Sequence, residues 1–128
     1  MKKIKSVFLL GILAIAAPSF AQDAASRVIE DGGTGKHSAV MVTDASLATH
    51  TIFRPKDIDG FKGKKNLPLI VWGNGACFDS PFEHVNFLNE IASHGFMVIA
   101  IGTMPKETGE QNKGRSTSSK LKDAMDWA

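Results

Sequence analysis

Two stretches of this chain are apolar without interruption: residues 67–72 (Leu-Pro-Leu-Ile-Val-Trp) and 96–101 (Phe-Met-Val-Ile-Ala-Ile). Continuous apolar character is what a strand needs when both of its faces are covered. Between them Phe82, Val85, Leu88, Ile91 and Ala92 recur at helical spacing and form an apolar stripe. Ser80-Pro81-Phe82-Glu83 reads as a capping box with proline at the first helical position, Ser80 taking the Glu83 N–H. Gly95, just after His94, suits the left-handed residue that ends a helix. Strand, helix and strand of these lengths predict a right-handed crossover with parallel strands.

The remaining pattern is weaker. In residues 38–43 Val40 and Val42 alternate with other residues, and residues 49–54 carry Ile52 and Phe53. We expect an antiparallel pair of strands here, turning at residues 44–48 and ended by Pro55. Residues 22–36 are polar and glycine-rich and predict an irregular lead-in. Residues 56–66 and 103–115 predict surface loops, the four lysines of the first serving solubility. Residues 116–128 begin another helix with Leu121, Ala124, Met125 and Ala128 on one face. The fold class expected is α/β.

The first 21 residues change the charge argument. Lys2, Lys3 and Lys5 precede an uncharged apolar run over residues 7–17, too short for the ~20 residues a membrane-spanning helix needs. Pro18 breaks the run, and Ser19 and Ala21 place small residues where a secretory leader is cleaved. We expect cleavage after Ala21, a secreted or periplasmic product and no stable membrane anchor afterwards. The whole chain has 15 Lys and Arg against 13 Asp and Glu; without the three leader lysines it has 12 against 13, a formal net charge of −1. That removes the main support for a nucleic-acid partner. About 107 residues then remain, enough for one small domain. Cys77 is the sole cysteine, so the chain has no internal disulfide.

The segment with candidate chemistry is Trp72-Gly73-Asn74-Gly75-Ala76-Cys77, at the carboxyl end of a predicted strand, where ligands of open α/β sheets gather. As a dinucleotide fingerprint it fails at its third glycine, which is Phe78. Two readings stay open on spacing alone: a tight strand-to-helix turn, and an oxyanion hole whose backbone N–H stabilises an acyl-transfer intermediate. One such donor is worth roughly 3–4 kcal/mol in the transition state. Gly35-Lys36-His37 is not a phosphate loop, because Glu30 stands where its first glycine should be. His37 and His50 show no metal-ligand spacing. His94 reads as a helix-terminal histidine favoured by the dipole, and His84 as a solvent-facing residue of the first helical turn.

Residues 92–99, Ala-Ser-His-Gly-Phe-Met-Val-Ile, resemble the Ala-Ser-His-Gly-Phe-Val-Val-Ile stretch of the secreted bacterial α/β-hydrolases of the cutinase, polyester-hydrolase and dienelactone-hydrolase-like branch. Residues 51–55, Thr-Ile-Phe-Arg-Pro, resemble the second strand of those enzymes, and Arg115-Ser116-Thr117-Ser118-Ser119 the segment leading to their nucleophile strand. The resemblance implies the N-terminal part of an α/β-hydrolase sheet, a serine hydrolase acting on small-molecule or polymeric carboxylic esters, and no cofactor. It places an oxyanion-hole N–H at Asn74, with Gly75 as the alternative, and implies that Trp72 and Phe78 flank the turn and line an acyl cleft. Packing is the alternative for these two aromatics. No G-x-S-x-G occurs in the chain. The family order of Ser, then Asp or Glu, then His implies that all three lie past the position matching Ala128, so none of the four histidines is the catalytic base. The isolated chain is expected to be inactive, with residues 69–72 left as an exposed apolar edge.

Two other classes remain. A non-catalytic secreted binding module would keep this half-fold as a stable monomer. A thiol enzyme or redox protein would use Cys77 near a helix N-terminus, with a depressed thiol pKa.

Overall fold

A computed structural model describes residues 32–62, 67–106 and 114–128. The expected leader with its cleavage site, most of the lead-in, and residues 63–66 and 107–113 of the two long loops lie outside these residues.

The chain forms a four-stranded mixed sheet with one helix on each face. The elements are β1 (Ala39–Val42), β2 (His50–Pro55), β3 (Leu69–Trp72), α1 (Val85–Ser93), β4 (Met97–Ile101) and α2 (Ser118–Trp127), and the strand order is β1-β2-β4-β3. β1 and β2 pair antiparallel through Val42 and Ile52, as the alternation predicts. β3 and β4 pair parallel, Leu69 to Met97 and Trp72 to Ala100, as the strand–helix–strand spacing predicts. β2 joins the halves by running antiparallel to β4, with His50 opposite Ile101.

The period-2 geometry of a strand sorts each side chain to one layer. Phe53, Val98 and Ala100 pack with Val85, Leu88 and Ala92 of α1 on one face. Ile52 and Ile99 pack with Leu47 and Ala124 on the other. β4 is therefore covered on both sides, which is why residues 98–101 are all buried and all apolar. Truncating a side chain as enclosed as Phe53 or Leu88 costs on the order of 2–5 kcal/mol.

Several expectations are corrected. β3 is the exposed edge expected, with β4 as its one neighbour among the described residues, and it packs on both faces through Ile70 and Trp72 on one side and Val71 on the other; its apolar run does not signal full burial, since Leu69 is 41% exposed. An edge strand and a central strand differ in what covers them, which the apolar pattern does not record. Another expectation holds beside these: Pro55 is the last residue of β2, opposite Ala39 of β1. The capping box is displaced. The Ser80 hydroxyl accepts from the Phe82 N–H at 3.3 Å, and a 3-10 turn over Phe82–His84 precedes the α-helix proper. On α2 the buried side is Leu121, Ala124 and Trp127, while Met125 is 58% exposed. Trp127 reaches across to donate its Nε1 proton to the Ser46 hydroxyl at 2.7 Å.

The described part of the lead-in is irregular yet firmly held. The Gly35 N–H donates to the Ser93 hydroxyl at 2.9 Å and the His37 N–H to the Ser93 carbonyl at 3.0 Å. Thr34 gives Glu90 both its N–H and its hydroxyl. Gly95 ends α1 at φ +93°, its N–H donating to the Ala92 carbonyl at 3.0 Å, as its place in the sequence predicts.

Candidate functional site

β3 delivers the chain at the carboxyl end of the parallel pair into the turn 73–79. Asn74 is extended (φ −74°, ψ 150°), and Gly75–Cys77 is one tight turn closed by the Phe78 N–H on the Gly75 carbonyl at 3.1 Å. Ala76 and Cys77 both lie in the left-handed region, at φ 52° and 58°. For residues with a Cβ this costs on the order of 1–2 kcal/mol each, so something outside the turn must hold it.

Two devices hold it. The first is the Asn74 side chain, whose Nδ2 donates to the Ile101 carbonyl at 2.8 Å and to the Phe78 carbonyl at 3.0 Å. It thereby ties the start and end of the turn to the end of β4. The second is the segment before α2. The Asp79 N–H donates to the Gly114 carbonyl at 3.0 Å, and the Ser116 N–H to the Cys77 carbonyl at 2.8 Å, which pairs Phe78 with Arg115 as an isolated antiparallel bridge. Lys120 of α2 adds an ion pair to Asp79 at 2.6 Å, with both side chains mostly buried.

The sequence-derived site residues fall as follows. The main chain of Asn74 and Gly75 is in the turn, and among the described residues neither N–H donates to a backbone carbonyl. Gly75 is exposed, with open space where a side chain would stand. The Asn74 side chain is directed into the protein and its Oδ1 is buried. Phe78 is 53% exposed at the end of the turn. Trp72 is half-buried and turned to the α1 face, where it meets His84 edge-on at 5.4 Å between ring centres and Phe87 at 5.6 Å. His84 is thus half-buried against an indole rather than facing solvent. Cys77 is an exposed free thiol.

The other histidines have structural partners. His50 is fully buried. Its Nε2 lies 2.9 Å from the Lys120 carbonyl, which can only accept, so Nε2 carries the proton, and Nδ1 faces the Thr49 hydroxyl at 3.0 Å. This bond carries α2 onto the start of β2. His94 caps α1 and meets Glu90 at 2.9 Å. His37 packs its ring on Phe61 at 4.9 Å.

Electrostatics are marked at Glu90. The Thr34 hydroxyl and N–H, with His94 after them, hold its carboxyl well below the usual range, at about 2. Hydrogen bonds donated to a carboxylate stabilise its ionised form directly. Among the described residues no three His, Cys, Asp or Glu side chains gather into a metal site, and no helix is long and apolar enough to cross a membrane.

Sequence reasoning missed the clamp on the turn. Asn74, Ile101, Asp79 and Lys120 are separated by up to 41 residues between partners, and no local spacing signals such pairs. No protein family, no curated protein and no solved structure matches the chain.

Proposed function

We propose that this chain is the N-terminal portion of a secreted serine hydrolase acting on carboxylic esters, and that the turn 73–79 supplies its oxyanion hole. The observation that carries the reading is the turn itself. It stands at the carboxyl end of a parallel strand, its conformation is held by Asn74 Nδ2 and by the 114–116 segment, and among the described residues the N–H groups of Asn74 and Gly75 donate to no backbone carbonyl. Donors fixed beforehand stabilise a developing oxyanion without reorganising during the reaction. The α/β sheet with a helix on each face is compatible with the hydrolase architecture that residues 51–55 and 92–99 resemble.

In this reading the ester carbonyl oxygen would move into the turn as a serine attacks its carbon. Asn74 has a positioning role through its side chain and a donor role through its main chain. The exposed Phe78 is the side chain of the turn available to an acyl or aryl group. The nucleophile, the acid and the histidine base belong to sequence outside these 128 residues, and no cofactor is needed.

The test has two arms. The purified 128-residue chain is expected to hydrolyse p-nitrophenyl esters no faster than buffer; turnover abolished by a serine-directed inhibitor would overturn the assignment. The source gene read past the codon for Ala128 is expected to continue into a strand bearing G-x-S-x-G, then an acid and a histidine. A stop codon there would end the enzyme reading for this product.

One observation favours a second reading, a non-catalytic secreted binding module. The described residues already bury apolar side chains on both faces of the sheet. This reading expects a monomer with a single cooperative melt, whereas the fragment reading expects self-association through β3.

A further inference from the structure

We propose that the bay between the lead-in and the end of β2 binds a phosphoryl-type dianion. Lys36, His37, Ser38, Lys56 and Asp57, drawn from two chain segments, line an open cavity of about 410 Å³. That lies inside the range of about 300–1,000 Å³ typical of small-molecule sites. The bay is at the opposite end of the sheet from the turn 73–79. It adjoins Ala39 and its partner Pro55, whereas the turn follows Trp72 and its partner Ala100.

The walls are set by main-chain bonds rather than by the lysines themselves. The Lys56 N–H donates to the Ser38 carbonyl at 2.7 Å, and the His37 N–H to the Ser93 carbonyl at 3.0 Å. The His37 ring is braced on Phe61. Arg54 donates to the carbonyls of Pro55 and Lys56 at 2.8 and 3.1 Å, which holds a further cation beside the bay.

The charge balance points to an anion. Lys62, Lys120 and Lys122 each hold a carboxylate, of Asp59, Asp79 and Asp126 respectively. Lys36 and Lys56 have no ion-pair partner among the described residues, and both belong to this one cavity. The single carboxylate of the bay, Asp57, accepts from the Asp59 N–H at 2.9 Å, which directs one oxygen into its own loop. Two ammonium groups with a hydroxyl donor between them in sequence suit a compact, oxygen-rich dianion. A monocarboxylate would bring one negative charge against two ammonium groups, while a phosphoryl dianion brings nearly two and accepts from several donors at once.

Isotope-labelled full-length chain, titrated with inorganic phosphate at constant ionic strength and followed by amide NMR, tests the proposal. Saturable shifts confined to residues 36–38 and 56–57 are expected, with none in a matched chloride titration. The double variant Lys36→Gln/Lys56→Gln removes two exposed charges and is expected to keep the rest of the spectrum while weakening binding about tenfold or more. Lys62→Gln, on a paired lysine, is expected to bind as the parent does. Linear, non-saturating shifts, shifts equally large around Lys122, or a double variant that titrates like the parent would each overturn the proposal.

Discussion

At Asn74 one side-chain nitrogen serves two carbonyls, of Phe78 and Ile101. Asn74→Ala leaves both without this donor and releases a turn that contains two left-handed residues. A loss of about 1–3 kcal/mol in unfolding free energy is expected, read from urea denaturation of the two proteins. Glycines divide sharply by environment. A Cβ on Gly35 would stand 2.1 Å from the Ser93 carbonyl oxygen, so Gly35→Ala must displace either the lead-in or the end of α1. Gly60 has open space at the same point. Thermal melts are expected to show a clear drop for Gly35→Ala and almost none for Gly60→Ala. Glu90 supplies a pH dependence. Its carboxyl is held at about 2, below the ordinary 4.5, by Thr34 and then His94. The stability it contributes is therefore complete above about 4.5 and is lost as pH falls from there toward 2. Denaturation midpoints measured across that window should fall less steeply in Glu90→Gln than in the parent protein; identical slopes would remove Glu90 from the account.

At the scale of elements, β3 is one of the two edge strands among the described residues, and the one with an exposed large apolar residue. Its four residues, Leu69–Trp72, carry no charge, and Leu69 is 41% exposed. An uncharged, unpaired strand edge is a template for pairing with another chain. Sedimentation velocity is expected to show concentration-dependent self-association of the chain, and Leu69→Lys is expected to suppress it without lowering the melting temperature. Association unchanged by that lysine would place the contact elsewhere. α2 is held on the opposite side by unlike means: Ala124 in the core, the buried His50 on the Lys120 carbonyl, the Lys120–Asp79 pair and the Trp127 indole on Ser46. Three of these are polar, which explains why the apolar spacing of residues 116–128 assigned Met125 to the wrong side. The two uninterrupted apolar runs placed β3 and β4 to within two residues, and Gly95 placed the end of α1. The displaced helix start at Ser80 was not legible, because a 3-10 turn and an α-helix share the same capping residues.

Across the whole molecule, residues 38–43 and 49–54 predicted the antiparallel pair, and the two apolar runs with their intervening stripe predicted the parallel pair. Local spacing suffices for these because each depends on side-chain period and on the length of the connection. The turn after β3 was legible as a location, from its glycines at the end of an apolar run. How Asn74 acts in it was not, and neither was the bay of Lys36 and Lys56, since both arise from segments that meet only after folding. The order β1-β2-β4-β3 belongs to the same class: periodicity assigns faces to strands but not neighbours. What this sequence determines alone is which residues are apolar, at what period and between which chain-turning residues, and so the number and kind of its elements. The tertiary structure decided that β2 and β4 are the inner neighbours, that Asn74 turns inward to staple a turn, and that two lysines without an ion-pair partner among the described residues share a cavity. Those outcomes rest on contacts between residues tens of positions apart, whose energies depend on distance in space and leave no periodic trace along the chain.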